Sequence, residues 1–436
     1  MAQAVKNQKL ILEKLGIEKL NAMQVDAQHA IHSSPNTILL SPTGTGKTLA
    51  FLLPLIAELD PNCEEVQAII LAPSRELAIQ LEQVTREMGT GYKANAVYGG
   101  RTFSKDKVEL KHRPAILIGT PGRVADHLRR ETFYTDHIQT LVLDEFDKSL
   151  EIGFEAEMSE IIVALPEIKK RILTSATHNV AVPEFVGLEN PTTVNYLLKK
   201  TAQLTLRKIS SPDKDKLETL VSTLSHIGNH PGIIFCNYKD TIQRVSDYLT
   251  ESHISHGCFY GGMEQKERER ALIKFRNGTH QLIIATDLAA RGIDIPELKF
   301  IIHYQLPNRS PEFTHRNGRT ARMNAEGTAY VLQWERERLP EFIPDLEEEE
   351  LQSAPLPSPS EWNTLFISGG RKDKISKGDI AGLFFKQGGL NKGQLGIIEL
   401  KQDCAFVSVK SKSVNHLLQI VNNSRLKKKK VRISII

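Results

Sequence analysis

TILLSPTGTGKTLAFLLPLIAEL, residues 37–59, joins a short aliphatic run to a glycine loop and then to an apolar segment of helical length. Strand, loop and helix in that order open a βαβ unit, and a parallel sheet covered by helices is the fold built from such units. Gly44 and Gly46 lack a Cβ, so backbone N–H groups and the helix N-terminus can face phosphate oxygens, with Thr43 and Thr45 completing the cradle. Lys47 is placed to reach the β and γ phosphates and Thr48 to offer its hydroxyl to Mg²⁺. A glycine-rich turn with a surface lysine is the alternative, but it does not explain why strand, glycines, Lys-Thr and helix all fall at the right offsets. Ser41 stands where the general pattern has its first glycine.

A second stretch gives the loop its partner. LVLDEFD, residues 141–147, is a strand-like run ending in Asp144, Glu145, Phe146 and Asp147. Asp144 is expected to hold Mg²⁺, directly or through water, and Glu145 to orient or deprotonate the attacking water. Alone, such a tetrad is a solvated turn; downstream of SPTGTGKT it predicts hydrolysis of a nucleoside triphosphate. Ser175 and Thr177, just past the next strand-like run at 171–173, are candidates to relay the state of the γ-phosphate by hydrogen bonds. HRNGRTAR, residues 315–322, places three arginines within seven positions. A basic run is usually a solvated face, yet arginines on a partner domain suit stabilisation of a transferring phosphoryl group.

Strand-like runs at 37–40, 68–72, 115–118, 140–143 and 171–173 alternate with helical segments, and a second series follows at 232–236, 281–285, 300–304 and 327–332. Two α/β domains in tandem are expected, at 1–200 and 201–345, joined between about residues 195 and 213 where no strong periodicity holds and SSPDKD supplies turn chemistry. EEEELQSAPLPSPSE begins at Glu347 and reads as a solvated linker (346–361). Residues 362–436 then read strand, helix, strand, strand, helix, strand, the βαββαβ order of an RNA-recognition domain.

Length and charge bound the rest. A chain of 436 residues is too long for one ordinary core. Cys63, Cys236, Cys258 and Cys404 show no metal spacing, which predicts a reducing compartment and no zinc. No apolar stretch approaches membrane-spanning length and MAQAVKNQKL lacks the apolar core of a signal peptide, so the expected location is the cytoplasm. Residues 362–436 carry 15 Lys and Arg against four Asp and Glu, a local +11 that leaves −7 for the remainder of a chain of net charge +4. Such an asymmetry marks a nucleic-acid-binding appendage on a mildly acidic engine.

With these residues in view, the chain resembles the DEAD-box RNA helicases of superfamily 2. The resemblance rests on SPTGTGKT, PSRELA (73–78), Gly99-Gly100, TPGR (120–123), DEFD for DEAD, SAT, FCNY (235–238), ATDLAARGID (285–294) and HRNGRTAR, in that order. It implies two RecA-like parallel-sheet domains that close over ATP and RNA, in an ATP-dependent, locally acting unwinder, and the engine is expected to be monomeric. It also implies roles for single residues. Gln24 reads adenine, Asp294 holds the ribose, Arg319 and Arg322 approach the γ-phosphate, and His315 joins Ser175 and Thr177 in coupling. Arg75, Gly100, Thr120, Pro121, Arg123 and Thr286 contact the RNA backbone. Residues 362–436 resemble the RNA-binding domain that ends DbpA-type helicases and anchors them to ribosomal RNA, which implies structured RNA as partner and ribosome assembly as the setting. Within it Arg371, Lys372 and Lys374, with Arg425, residues 427–430 and Arg432, are the expected RNA contacts; Phe406 is a candidate stacking residue or core. An RNA clamp that hydrolyses ATP without productive unwinding is the second reading.

The departures are equally specific. Leu20 and Asn21 stand where the family usually has Pro-Thr, no aromatic precedes Gly16, Phe146 replaces a small alanine, Tyr238 replaces a threonine, and Asn317 and Ala321 replace an apolar residue and a glycine.

Overall fold

The computed structural model describes residues 6–177, 182–197, 203–287, 298–321, 326–410, 412 and 414–436. They fall into two compact units, residues 6–197 and residues from 203 onward. In the first unit the strands are β1 (Asn36–Leu40), β2 (Ala68–Leu71), β3 (Ala94–Val97), β4 (Ile116–Gly119), β5 (Thr140–Leu143), β6 (Lys170–Ser175) and β7 (Thr192–Asn195). They form one sheet in the order β3-β4-β2-β5-β6-β1-β7, parallel throughout.

Successive side chains of a strand point to opposite faces, so a sheet covered on both sides must be apolar at every position. Ile70, Ile116, Ile118, Val142 and Ile172 join one core with the helix Lys47–Glu58. Their neighbours Ile69, Leu71, Leu117, Leu141, Leu143 and Leu173 join the other, which also takes Phe146. The bulky ring in the tetrad is thus a core residue, 1% exposed, packed on the far side of the sheet from the phosphate-loop helix.

The second unit begins with β8 (Gln203–Ser211), followed by β9 (Gly232–Phe235), β10 (Gly257–Phe259), β11 (Leu282–Ala285), β12 (Phe300–His303) and β13 (Glu326–Trp334). Their order is β10-β11-β9-β12-β13-β8, again parallel. Strand β8 occupies about half of the stretch, residues 195–213, in which the join between the two domains was expected. Its sequence, QLTLRKISS, reads poorly because it is an edge strand with one flank toward solvent.

That flank is then covered. The acidic run stays largely exposed but is anchored along the edge: Glu348 forms a parallel bridge with Lys208. Lys208 N–H donates to Glu347 O (2.9 Å) and Glu349 N–H to Lys208 O (2.7 Å). Glu347 and Glu349 pair with Arg207, Glu348 with Lys208 and Glu349 with His226. An open sheet edge is a template for unwanted pairing, and three glutamates facing Arg207, Lys208 and His226 select this segment to close it. The chain onward is pinned by bonds from Gln352 N–H to His226 Nδ1 (3.0 Å), Ser358 N–H to Asn229 Oδ1 (2.7 Å) and Ser360 Oγ to Gly278 O (2.6 Å).

The C-terminal part places β14 (Trp362–Ile367), β15 (Leu395–Leu400), β16 (Ala405–Lys410) and β19 (Ile433–Ile435) in an antiparallel sheet ordered β15-β16-β14-β19. A two-residue-per-strand hairpin, β17 (Arg425–Leu426) and β18 (Lys429–Lys430), precedes the last strand. This is the βαββαβ architecture of RNA-recognition domains. Leu365, Ile367, Ala405, Val407 and Val409 bury one face against the helices Lys377–Lys386 and Val414–Val421. The other face is docked on the preceding α/β fold. Thr364 Oγ1 meets Thr279 Oγ1 (2.6 Å), Ser408 Oγ donates to Asn277 O (2.8 Å), and Arg276 grips Glu399 through two bonds of 2.7 and 2.9 Å. Burial works against the Glu399 charge, but Arg276 and Lys401 hold its carboxyl below the ordinary range.

The Arg276–Glu399 pair is the charged hinge of this docking. Arg276→Glu should cost the interface about 2–4 kcal/mol, because it leaves a largely buried carboxylate facing a like charge. Limited proteolysis should then cut within residues 346–361 much faster than in the parent, with the helices of both parts retained by circular dichroism. Unchanged protection of that segment would show that the pair does not hold the two parts together.

Candidate functional site

In the first unit the phosphate loop leaves β1 and enters the helix Lys47–Glu58 with Gly44 at φ +81° and Gly46 at φ +87°. Both are left-handed conformations that side chains resist. Ser41, in place of a glycine, is fully buried and braces the loop: its N–H donates to Ser175 O (3.1 Å), and its hydroxyl lies 2.8 Å from that of Thr45. Lys47 Nζ rests on the carbonyls of Ser41 (2.6 Å) and Pro42 (2.9 Å). Thr43 and Thr48 flank it, half-buried, with Thr48 in the first helical turn.

Gln24 and Asn21 reach the same loop. Asn21 caps the helix Ala22–Ser33 in a reciprocal box with Gln24. Asn21 Nδ2 donates to Thr45 O (3.0 Å) and Gln24 Nε2 to Gly46 O (3.2 Å). The substitution of Asn for the usual threonine therefore keeps the cap, since both residues accept from the N3 backbone, and adds a bond to the loop.

Asp144 and Glu145 follow β5. Asp144 is 4% exposed; burial and the neighbouring Glu145 push its carboxyl up to about 6, against the pull of Thr174 and Lys47. Thr174 donates its hydroxyl to Asp144 and accepts the Glu145 N–H (3.1 Å), so one β6 side chain holds both carboxylate residues. Glu145 itself sits at φ +47°, ψ +49°. A non-glycine residue held there costs of order 1–2 kcal/mol, which the surrounding contacts must offset. Past β6, Ser175 Oγ accepts the Thr177 N–H (3.0 Å) and Thr177 Oγ1 donates to Asp147 Oδ2 (3.2 Å). SAT and DEFD are thereby one bonded assembly. Thr174 carried no signal in the sequence beyond its place in the strand.

The expected RNA-facing residues of this unit also gather at the carboxyl ends of strands. Arg75 opens the helix Arg75–Glu87, with its guanidinium against Gly100, where an added Cβ would lie 2.3 Å from Nη1. Thr120 caps the helix Pro121–Arg129, which starts with Pro121 at a position where no N–H is needed. Arg123 is partly exposed, with its side chain held by Asp106 and the Arg101 carbonyl.

In the second unit Arg316, not singled out by the sequence, is the largest fully buried side chain. It donates to both Asp287 oxygens (2.7 and 2.6 Å), to Gln305 O (2.7 Å) and to Asn237 Oδ1 (2.7 Å), and lies over the Phe235 ring. Segments recognised separately, FCNY, ATD and HRNGRTAR, are thus tied by one guanidinium. Thr286 adjoins Asp287, with its N–H on Phe259 O (3.3 Å). His315 and Arg319 are both buried. Arg322 and Asp294 lie outside the described residues.

One departure finds its reason here, and a second stands at a position whose backbone favours glycine. Asn317 bonds the fully buried His303 (3.0 Å), which burial and the charge of Arg316 keep neutral, with its pKa lowered to about 3. Ala321 sits at φ +52°, which is why glycine is usual at that position. Tyr238 caps the helix Lys239–Glu251 and is 61% exposed; nothing in the structure explains the change from threonine.

In the C-terminal part, Arg371, Lys372 and Lys374 lie in and just after the short helix Arg371–Asp373, with Lys374 at φ +60°. Asp373 accepts from Lys429 (2.8 Å), which brings this loop beside the β17–β18 hairpin. Phe406 is neither free to stack nor in the main core: it lies 5.7 Å from Phe366, edge-on, 5% exposed, on the face that carries Ser408 and Thr364. Among the described residues no helix is long and apolar enough to cross a membrane.

Comparison with known proteins agrees with this geometry. The profile of DEAD/DEAH box helicases matches residues 21–185, the helicase conserved C-terminal domain residues 215–324, and the DbpA RNA binding domain residues 364–435. The ATP-dependent RNA helicase DbpA of Bacillus subtilis is 31% identical, over 97% of this chain and 96% of that protein. DbpA of Escherichia coli is 30% identical, over 98% and 96%. Yeast Dbp5, solved bound to RNA and ADP BeF3, superposes with a TM-score of 0.68 at 28% identity, covering 76% of this chain and 88% of that one. Phosphate loop, paired carboxylates, arginine helix and RNA-recognition appendage, in one chain with these relatives along its whole length, belong to an ATP-dependent DEAD-box RNA helicase of the DbpA type.

Proposed function

We propose that this helicase uses one ATP-driven closure of its two α/β domains to pull apart short duplexes in structured ribosomal RNA during ribosome assembly, as a cytoplasmic monomer. The domain limits we assign are 1–200, 201–345 and 362–436. The observation that carries the reading is the bonded assembly of Thr174, Asp144, Glu145, Thr177 and Asp147 beside the phosphate loop. Hydrolysis chemistry and a route for reporting it share the same hydrogen bonds.

The residues fit Mg²⁺. Asp144 and Thr48 are hard oxygen donors of the kind this ion takes, and a carboxyl pushed up to about 6 by burial gains from a neighbouring cation. When bound, the ion would neutralise charge on the β and γ phosphates. Lys47 exchanges its two carbonyls for phosphate oxygens. Gln24 reads the adenine edge and Asp294 the ribose. Glu145, held by its N–H on Thr174, presents its carboxylate to the attacking water. Arg319 and Arg322 stabilise charge on the transferring phosphoryl group, and Ser175, Thr177 and His315 pass the nucleotide state onward. Arg75, Gly100, Thr120, Pro121, Arg123 and Thr286 hold the RNA backbone. Such contacts position without reading sequence. Selectivity comes from Arg371, Lys372 and Lys374 with the β17–β18 hairpin, because the sheet face that usually stacks bases is docked on the neighbouring fold.

In a single-turnover ATP assay with a short duplex beside a structured RNA, strand release should accompany the one round of hydrolysis; hydrolysis without release would favour the clamp. Glu145→Gln should bind ATP and RNA as the parent does while kcat falls at least about 100-fold, the usual scale for losing a general base. Near-normal turnover would remove Glu145 from that role. Replacing Arg371, Lys372 and Lys374 together by alanine should raise the half-saturating concentration of structured RNA about tenfold and that of unstructured RNA far less, as expected for loss of several phosphate contacts. Equal shifts for both RNAs would show that this loop does not confer the preference.

A further inference from the structure

Between the Gly99-Gly100 turn and the helix Pro121–Arg129 lies a carboxylate that no step so far uses. Asp106, on the short helix Phe103–Glu109, has a side chain with no solvent exposure. Its Oδ2 accepts from Arg123 Nε (2.8 Å) and Nη2 (2.7 Å) and lies 3.3 Å from His127 Nε2. Its Oδ1 lies 3.3 Å from Arg101 Nε. Arg123 Nη2 donates in addition to the Arg101 carbonyl (3.0 Å). Phe103 stacks on His127 with centroids 4.6 Å apart and carries the guanidinium groups of Arg123 and Arg130 over its ring, at 5.1 and 4.4 Å. The cluster joins residue 101, next to the left-handed Gly100, to residues 123 and 127 on the helix capped by Thr120.

We propose that Asp106 is a positioning residue for RNA binding, which clamps the glycine turn to the N-terminus of the Thr120-capped helix so that both meet successive phosphates of one strand. This rests on the reading of Gly100, Thr120 and Arg123 as backbone contacts. The physical logic is that Asp106 is the carboxylate shared between Arg123 and Arg101, the latter also paired with Glu109, so it draws two arginines of different segments together. Burial disfavours that charge, yet bonds from His127 and Arg123 and the charges of Arg123 and Arg101 hold the Asp106 carboxyl below the usual range. Preorganised phosphate contacts bind tightly because little ordering remains to be done at the moment of binding.

Asp106→Asn keeps the shape of the side chain and removes the charge. We expect it to raise the RNA concentration for half-maximal ATPase stimulation about tenfold, with kcat at saturating RNA and the KM for ATP each within about twofold of the parent, since only binding contacts are displaced. Arg75→Ala, on the neighbouring helix, serves as the control for the RNA face itself. If both variants shift the RNA dependence, the proposal stands. If Arg75→Ala shifts it and a folded Asp106→Asn does not, the positioning role is wrong and the RNA face survives. If neither shifts it, the reading of this face as RNA-binding fails and the proposal with it. A loss confined to kcat, or one that tracks the unfolded fraction in a thermal melt, would reduce Asp106 to a structural residue. Should the asparagine variant not fold, Asp106→Glu carries the test: it keeps the charge, moves the clamp by one methylene, and should raise the RNA half-saturation about threefold. An unchanged value there overturns the proposal.

Discussion

Parallel strands joined by helical crossovers put all their carboxyl ends on one edge of a sheet, and ligand loops in such folds leave from that edge. Everything functional in this chain depends on that directionality. In the first unit the loops after β1 to β6 are, in turn, the phosphate loop, the Arg75 turn, the Gly99-Gly100 turn, the Thr120 cap, the Asp144–Glu145 pair and the Ser175–Thr177 relay. Six strands deliver six motifs to one rim. In the second unit the ends of β9, β11 and β12 bring Asn237, Asp287 and Gln305 to one guanidinium, that of Arg316. Neither rim could be assembled from antiparallel strands, which would send half of these loops to the opposite edge.

Much of this was legible because chemistry and periodicity coincide in the same residues. LVLDEFD shows both a buried strand and its acidic terminus, and SPTGTGKT shows a loop together with the strand and helix that flank it. What escaped notice lacks one of the two signals. The strands β3, β7 and β10 are three or four residues long, and ANAV or TTVN hardly differs from coil in hydrophobicity. Strand β8 lost its alternation at Arg207-Lys208 because the polar flank there awaits glutamates about 140 residues onward, a pairing that no local window contains. Arg316 and Asp106 were hidden for another reason. Charged residues are read as surface, and only the fold reveals that their counter-charges come from distant segments. The acidic run stays largely solvent-exposed, as expected, but its pairing with β8 was hidden for the same cause.

Several departures from the family pattern are answered within the chain. Asn21 preserves a cap that threonine would supply, Ser41 turns a missing glycine into a brace on Thr45, and Asn317 acquires a buried histidine as its partner. Each exchange keeps the backbone where the chemistry needs it. Phe146 fits the same rule: a position usually occupied by a small side chain becomes a core anchor directly behind Asp144 and Glu145.

The docking of the C-terminal fold through its sheet face changes the kind of help that it can give. A domain on a loose tether assists by statistics: it keeps an engine nearby, and its usefulness falls gradually as the tether lengthens. A domain seated through Arg276, Asn277 and Thr279 assists by geometry. Whatever rotation the second α/β fold makes is transmitted to the docked C-terminal fold as through a crank. Lengthening residues 346–361 would then change little. Retwisting the seat by a few degrees would change which duplex the engine meets.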